Sequence, residues 1–591
     1  MNTPSVPGDR HGVDAPRIPG NDYGVLNPPA IGAWEPRLPV SVVIPARQNQ
    51  GKLDLTLAAL AAQTYPAHLL EVIVVDDGSA PPLRLPEVAP ERTRLIGAAP
   101  GGWGIAWALE SGTAVADGQV IHRMDSDIVA YRDHVEAHMR WHHLADYLVV
   151  MGTLRFTAMA GTPPTPSEVQ IAVAKDKTAS LFEADPDHGH DWIDELIARH
   201  RDFRDAPSSL LHRIHVGATV SLPKALFRAV GGTDPSLTLG EDTELGYRLT
   251  QTGAVFVPDT GALSWHLGTT TAMRRSQDVR RHNDPFIADR VPYRRYLRTD
   301  PGRQWLVPYV DVVVDTLGAA FEDVRASVDG ALASTLPDLR VTVVGPWSSL
   351  TADRRAPLDD PLLDLRLIQG QYAHDSRVSF VEEVSPTASP TPFRLTCPAG
   401  WVPGAESLAL LVEQMEKDDE GLLLVALEEC ESGVVAARLE RTAAVARAIR
   451  VARDGESLDD VIADLYGATW LDAESWKFRP AARAYPAWAS GRNREAVRWR
   501  AEAESRKREA ERAQRQVATL KAELKELRAS VAKSQRDTSR WREKAEQRRQ
   551  EAVALRRTQN RLEAGALRKV RKRSFLGRAA RRLRKLVRDS T

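Results

Sequence analysis

Three patterns of apolar and polar residues succeed one another along the chain. The first begins at Val40-Ser-Val-Val-Ile-Pro45, a short β-branched run that reads as a buried strand. Leu53 to Ala62 then carries apolar residues at helical spacing, Thr64-Tyr65-Pro66 breaks it, and Val72-Ile-Val-Val75 is a second buried strand. Strand, helix, strand at this spacing predicts a parallel βαβ unit. A third strand, Gln119-Val120-Ile121, runs into Asp125-Ser126-Asp127. In open α/β sheets ligands sit beyond the carboxyl ends of the strands. Asp76-Asp77 and Asp125/Asp127 follow two of these strands directly, so the chemistry is expected there.

The same pattern returns about 270 residues later. Ala331-Leu-Ala-Ser-Thr-Leu-Pro337, followed by Arg340-Val-Thr-Val-Val344, echoes Leu60-Ala-Ala-Gln-Thr-Tyr-Pro66 followed by Glu71-Val-Ile-Val-Val75. A repeat at that period is a duplicated domain, not a solenoid. Gly345-Pro346-Trp347-Ser348 stands where the first copy has Asp76-Asp77-Gly78-Ser79. Thr396-Cys397-Pro398-Ala399-Gly400-Trp401 stands where the second acidic cluster is expected. The second copy keeps the apolar frame and loses the carboxylates.

The third pattern is a heptad. Beyond Gly491 no proline occurs, and no glycine before Gly565. Apolar residues step by three and four through Ala513, Val517, Leu520, Leu524, Leu527 and Val531, and more weakly through Trp541, Ala545, Ala552, Leu555 and Leu562. This is the seam of a coiled coil that would join copies of the chain; a solitary charged helix is the alternative. As one helix, residues 493–563 would run about 105 Å. Arg568 to Arg588 then holds eleven basic residues and no acidic one, with Phe575, Leu576, Ala579, Leu583, Leu586 and Val587 on one helical face. Such a basic amphipathic helix suits an anionic membrane surface, or a partner helix. Nucleic acid is the less favoured partner, because the face is aliphatic more than aromatic.

Charge sharpens this division. The 591 residues carry 79 basic and 79 acidic side chains, yet residues 491–591 hold 33 of the former and 13 of the latter. An acidic body is thus joined to a basic tail of net charge +20. At 43% hydrophobic residues the body can fill sizeable cores, and the length calls for two to four domains. Two cysteines, Cys397 and Cys430, exclude a disulfide scaffold and a cysteine-rich zinc module. The start of the chain has no apolar core of a secretory signal, and no run of about 18 apolar residues occurs. The expectation is a soluble cytoplasmic protein, peripheral on the inner face of the membrane through its tail. Seven prolines in residues 1–37 read as an extended arm.

Five segments then combine. Val40-Ser-Val-Val-Ile-Pro45, Val74-Val-Asp-Asp-Gly-Ser79, Met124-Asp-Ser-Asp127, Gly231 through Leu249 with its Glu241-Asp242 pair, and Trp265-His266 stand in the order of one family. Residues 38–290 resemble family 2 glycosyltransferases, inverting enzymes that move a sugar from a nucleotide donor. The resemblance implies an α/β fold of the GT-A type, a Rossmann-like nucleotide-sugar domain at 38–305. A second, degenerate GT-A-like domain would follow at 306–485, then a coiled-coil helix at 491–565 and a basic amphipathic tail at 566–591.

The resemblance also implies roles. A divalent metal, Mn2+ or Mg2+, would neutralise the donor diphosphate, as carboxylate-held hard cations do. Asp127 would be its direct ligand, Asp125 would contact the ribose or the ion, and His266 would complete the metal shell. Pro45, Arg47 and Asp77 would line the nucleoside pocket. Asp242 would be the base that deprotonates the acceptor hydroxyl, with Glu241 orienting the acceptor. The pair precedes a helix at 243–250, where ionised carboxylates are favoured and can cap. The donor expected first is a UDP-sugar, and the acceptor a glycan or lipid-linked carrier in bacterial cell-surface polysaccharide synthesis.

The chain departs from the family at Leu109-Glu110, where an Arg-Asn pair is usual, and at Gly101-Gly102-Trp103-Gly104. Arg274, Arg275, Arg280 and Arg281 read either as a closing segment over the diphosphate or as a solvated charge run. Residues 157–210, with His188, His190 and Trp192, form an insertion of unassigned chemistry. His134, His138 and His142 share a helical face and read as surface or packing histidines, with a metal site as the alternative. Two rival functions stand beside the enzyme: an inactive glycan-binding or assembly scaffold, and a nucleotidyltransferase.

Overall fold

Continuous Val and Ile runs, apolar on both faces, form strands buried between helical layers. A computed structural model describes residues 15–159, 161–352, 356–431, 433–483, 521, 543–544, 546–562 and 565. The chain divides into two units, residues 1–503 and 504–591.

The described residues of the first unit form two large sheets and one two-stranded sheet. The first sheet is built from β1 (Val40–Ala46), β2 (Leu70–Asp76), β3 (Thr93–Gly97), β4 (Val120–Met124), β5 (Ile128–Ala130), β6 (Leu148–Thr157), β7 (Thr219–Pro223) and β8 (Val255–Leu267). Its spatial order is β3-β2-β1-β4-β7-β6-β8-β5. The expected βαβ unit is present: β1 pairs parallel with β2 through seven residues, from Val40 opposite Leu70 to Ala46 opposite Asp76. β1 also pairs parallel with β4, and β4 antiparallel with β7. The helices around it are α1 (Gln50–Leu60), α2 (Ile105–Val115), α3 (His134–His142), α4 (Pro166–Ala174), α5 (Asp191–Arg199), α6 (Lys224–Ala229), α7 (Glu241–Gln251), α8 (Thr271–Arg274) and α9 (Ser276–Arg290). The 157–210 segment contributes α4, which packs Val169 and Val173 against Leu55 and Ala58 of α1. It also contributes α5, whose Ile193 and Leu196 enter the core beside Phe203.

The second sheet comprises β9 (Val310–Asp315), β10 (Leu339–Val344), β11 (Val378–Val381), β12 (Phe393–Thr396), β14 (Leu422–Cys430), β15 (Gly433–Arg441) and β16 (Ala468–Asp472); β13 (Trp401–Val402) and β17 (Arg479–Pro480) pair apart from it. Its helices are α10 (Phe321–Leu332), α11 (Leu363–Tyr372), α12 (Ser407–Asp418), α13 (Thr442–Val451) and α14 (Leu458–Tyr466). The order β11-β10-β9-β12-β15-β14-β16 repeats the first seven positions of the other sheet. The directions repeat too: parallel for β9 with β10 and with β12, antiparallel for β12 with β15, parallel for β14 with β16. By strand register Cys397 is the counterpart of Met124, and Pro398 and Gly400 stand where Asp125 and Asp127 follow β4.

The two sheets share a core in which Tyr147, Leu148 and Val255 meet Leu422, Ala444 and Ala448. Of residues 1–37, expected as an extended arm, residues 15–26 are laid into this junction, while Gly32 and Trp34 bond Glu136 of α3. Ile18 is fully buried, and the Asn21 side chain bonds the backbone of Phe203 and Phe256. Arg447 of α13 seals the seam. Its buried guanidinium donates to the carbonyls of Gly253, Ala254, Ile18 and Gly20, and lies over the rings of Tyr147 and Tyr466. Gly253 has a φ of +76°, and a Cβ there would come within 2.7 Å of the Arg447 nitrogen.

In the second unit residues 546–562 are helical, with Leu555 and Leu562 exposed. The stronger part of the heptad seam, Ala513 to Val531, and the basic stretch Arg568–Arg588 lie outside the described residues. Among the described residues no helix is long and apolar enough to cross a membrane.

Removing the Arg447 charge strands four carbonyls in a dry junction, where each unpaired group is costly. Arg447→Met is expected to lose about 3 kcal/mol of stability. Calorimetry checks this, and an unchanged Tm contradicts it.

Candidate active site

The carboxylates gather at the carboxyl ends of β1, β2 and β4. Asp76 and Asp77 divide their work. Asp76 closes the turn, its two oxygens accepting from the N–H groups of Ser79 (2.8 Å) and Leu83 (3.0 Å), while Gly78 takes a φ of +77°. Asp77 turns the other way and accepts the Gly104 N–H at 2.9 Å, holding the Gly101–Gly104 loop beside the strand ends. That loop carries Trp103, 62% exposed, with the Arg47 guanidinium 6.0 Å from its ring centre. Pro45 is buried in β1 opposite Val75.

Asp125, Asp127 and His266 offer ligand atoms that all lie within 4.8 Å of one another. His266 donates from Nδ1 to the Gly268 carbonyl (2.7 Å), which leaves the Nε2 lone pair facing Asp127 Oδ1 at 3.5 Å. Phe156 stacks on the His266 ring at 4.9 Å and meets His190 edge-on at 4.9 Å. Asp127 Oδ2 also pairs with Lys52 Nζ at 3.2 Å. Asp125 Oδ1 is buried without a hydrogen-bond partner. An orphaned carboxylate oxygen beside a second carboxylate and an imidazole lone pair is a donor set that fits a divalent cation.

Burial raises the Asp125 carboxyl above the usual range; Arg123 opposes this and the Asp127 charge adds to it. Arg123, on β4, crosses to Glu241 at 2.9 Å and lies 3.9 Å from Asp125. Its guanidinium occupies the place where a side chain at Gly217 would stand: a Cβ there would fall 2.0 Å from Cζ. Against the penalty of burial, Glu241, Asp125 and Asp242 keep Arg123 charged.

Glu241 and Asp242 sit in the first turn of α7, not ahead of it. The cap position is Gly240, at φ +80°, which has no side chain to offer; Asp242 Oδ1 accepts the first-turn Thr243 N–H at 2.7 Å, the acceptor role expected of the pair, while Glu241 does not take it. Glu241 is instead buried against Arg123, and burial pushes its carboxyl up to about 7 despite that partner. Asp242 Oδ2 accepts from the Gly217 N–H (3.2 Å), and its carbonyl accepts from His215 Nδ1 (2.7 Å). The Asp242 charge is felt at Asp125, Arg123 and His190, so the sequence-derived carboxylates after β4 lie in one electrostatic neighbourhood around Arg123.

Lys52, Arg123, Phe156, His190 and His215 are site residues that the motifs did not reveal. Burial drives His190 and His215 down to about 4, leaving both neutral at physiological pH. The departures are structural. Leu109 is core, and Glu110 accepts from the Thr233 N–H (2.6 Å) and hydroxyl (2.8 Å), tying α2 to the loop before α7. Arg274, Arg275, Arg280 and Arg281 are exposed on α8, α9 and their junction, and Arg275 pairs with Asp278.

Residues 41–202 match the sequence profile of Glycosyl transferase family 2. Those residues belong to that family. The family 2 unit is 29% identical over 220 residues to Validoxylamine A glucosyltransferase of Streptomyces hygroscopicus subsp. limoneus, covering 36% of this chain and 47% of that protein. It is 27% identical over 223 residues to Pre-mycofactocin glycosyltransferase of Mycobacterium tuberculosis (strain CDC 1551 / Oshkosh), covering 36% and 40%. The chain thus spans about half the length, or less, of the curated relatives it matches. Two solved structures are more distant. A mannosyltransferase, PcManGT from Pyrobaculum calidifontis in complex with GDP-Man and Mn2+, aligns at 17% identity and TM-score 0.30 over 45% of this chain and 71% of that one. S. aureus TarS aligns at 14% and 0.27 over 43% and 40%. Neither likeness bears on the site.

The raised Glu241 carboxyl has a consequence for the metal-free protein. Its stabilisation is complete below its unfolded value near 4.5 and is lost as pH rises to about 7, because the folded state binds the extra proton in that window. Glu241→Gln is expected to flatten the decline of stability across it. Denaturation midpoints measured with chelator present check this; an equal slope in both proteins contradicts it.

Proposed function

We propose that the chain is a metal-dependent, inverting glycosyltransferase acting on a nucleotide-sugar donor and a hydroxyl acceptor. One observation carries the reading: Asp125, Asp127 and His266 converge within 4.8 Å at the carboxyl edge of the sheet, with Asp125 Oδ1 making no hydrogen bond. Asp127 and His266 would hold the cation directly, with Asp125 bridging to it or to the ribose. When bound, the cation supplies charge neutralisation to a departing diphosphate.

The remaining steps belong to side chains. Asp77 and the loop it holds, with Pro45 and Arg47, form the nucleoside wall; the exposed Trp103 ring and the Arg47 cation stand ready to cover a base. Lys52 pairs with Asp127 and would be placed to meet a phosphate oxygen of the donor. Asp242 is the base. Its carboxylate is oriented by the Gly217 N–H and its carbonyl by His215, while Arg123 fixes Glu241 next to it. Deprotonating an acceptor hydroxyl across the cleft from the leaving group gives inversion.

The names of the two relatives, a glucosyltransferase and a glycosyltransferase, support sugar transfer. A UDP-sugar is the first donor to try, and a glycan or lipid-linked acceptor at a membrane accords with the basic tail. The second sheet, with Pro398-Ala399-Gly400 at the place of the acidic cluster, is the non-catalytic copy, and the scaffold reading applies to it alone.

Asp127→Ala is expected to lower transfer at least about 100-fold, since several kcal/mol of charge stabilisation leave with the ligand. Nucleoside diphosphate release with manganese present measures it, and near-normal turnover sinks the assignment. Asp242→Asn should cut kcat by about 10²–10⁴-fold while donor affinity, read by calorimetry, stays unchanged. Donor affinity lost in step with turnover would count against a base.

A further inference from the structure

A second cluster of metal-ligating side chains lies in the same α/β unit, away from the carboxylates. The face of α3 read as surface or packing histidines is buried, and a strand residue completes it. His122 of β4 and His134 and His138 of α3 are each no more than 1% exposed. The three offer ring nitrogens that lie within 4.8 Å of one another. All three Nε2 atoms point at one hydroxyl, Thr219 Oγ1 of β7, at 3.0, 2.9 and 3.3 Å. His142, the third residue of the expected face, stands aside and bonds Ser221 Oγ at 2.7 Å.

Several features prepare these rings as ligands. The outer nitrogens are oriented: His134 Nδ1 meets the Leu263 carbonyl at 3.0 Å, and His138 Nδ1 meets Ser221 Oγ at 2.8 Å. The carbonyl on His134 Nδ1 places the proton there and turns the Nε2 lone pair inward, the arrangement found behind metal-bound histidines. Burial keeps the imidazoles neutral, so no proton need be displaced at physiological pH. A glycine makes the room. At Gly152, where β6 bulges against β8, a Cβ would stand 3.0 Å from His134 Cε1 and from His138 Nε2. Among the described residues no carboxylate hydrogen-bonds any of the three rings, although the Asp259 charge reaches His134.

We propose that His122, His134 and His138 bind a zinc-type transition-metal ion, with the Thr219 hydroxyl or a water as fourth ligand. Three imidazoles select a borderline ion such as Zn2+ over Mg2+ or Mn2+, which prefer oxygen. The ion would be structural. It pins α3 to β4 and β7, three residues before Asp125, so it stiffens the strand end that carries the carboxylates. The site is independent of the sugar-transfer reading, and its test keeps the two apart.

The full chain is loaded with Zn2+, desalted and assayed for metal by mass spectrometry; Co2+ is loaded in parallel. In Asp127→Ala, whose carboxylate site is disabled, about one zinc per chain and a tetrahedral cobalt spectrum are expected, and both are lost when His138→Gln is added; the wild type holds at least as much zinc. Zinc should also raise the Tm of wild type and Asp127→Ala alike. Zinc lost in Asp127→Ala, or fully retained in the double variant, overturns the proposal. Should the double variant fail to fold, Asp127→Ala decides: a folded chain that takes up no zinc and shows no tetrahedral cobalt bands overturns it.

Discussion

Four carboxylates in one electrostatic neighbourhood repel one another, and the cation that holds them there is Arg123. It is buried on a strand, where a guanidinium is expensive unless paired. Its partners are Glu241 on α7 and, more loosely, Asp125 at its own strand end. One charge thus fastens the strand carrying Asp125 and Asp127 to the helix carrying Asp242. The compensation is incomplete, as the raised Glu241 and Asp125 carboxyls show. That residual repulsion favours any further positive charge entering the cleft. Lys52 supplies one from α1, and a divalent ion would supply more.

The two large sheets of the first unit show what the frame requires and what chemistry adds. Both keep the same order and the same directions, because parallel Val/Ile strands between helices bury well whatever stands at their ends. In the second sheet the strand-end positions are filled for packing. Trp347 packs edge-on against Phe380, and Cys397 is buried with its thiol pushed up to about 12 by burial. A neutral thiol and an indole need no counter-ion, so no equivalent of Arg123 is needed there. The Arg447 junction then joins the two sheets through main-chain carbonyls, which constrain position without contributing charge to the cleft.

What the sequence made legible follows from locality. Strands announced by β-branched runs, and acidic residues directly after them, are short-range signals, so β1, β2 and the Asp125-Ser-Asp127 strand end could be read directly. β3 escaped because it is a five-residue, half-exposed strand without an apolar run. Arg123 and His215 could not be read, because their roles depend on residues 118 and 27 positions away. The Glu241-Asp242 pair was placed near the right helix end, and Asp242 does accept a first-turn N–H there; the pairing of Glu241 with Arg123 was out of reach, because its partner lies 118 positions away. Spacing of four located the His134/His138 face; it could not indicate that a strand histidine, and not His142, would complete the set.

These two clusters are not separate accidents of packing, because one strand feeds both. Along β4 side chains alternate, so His122 and Met124 face one side and Arg123 the other. On the first side His122 meets α3 and Met124 enters the core beside Val135 and Met139. On the second, Arg123 reaches over Gly217 to α7. β7 is in register with both, with His122 opposite Ser221 and Met124 opposite Thr219. A displacement of β4 by one residue would exchange the faces, burying Arg123 among imidazoles and carrying His122 toward the carboxylates. The histidine cluster and the arginine therefore fix the same register from opposite sides. The position of Asp125 and Asp127 in the cleft is set by both.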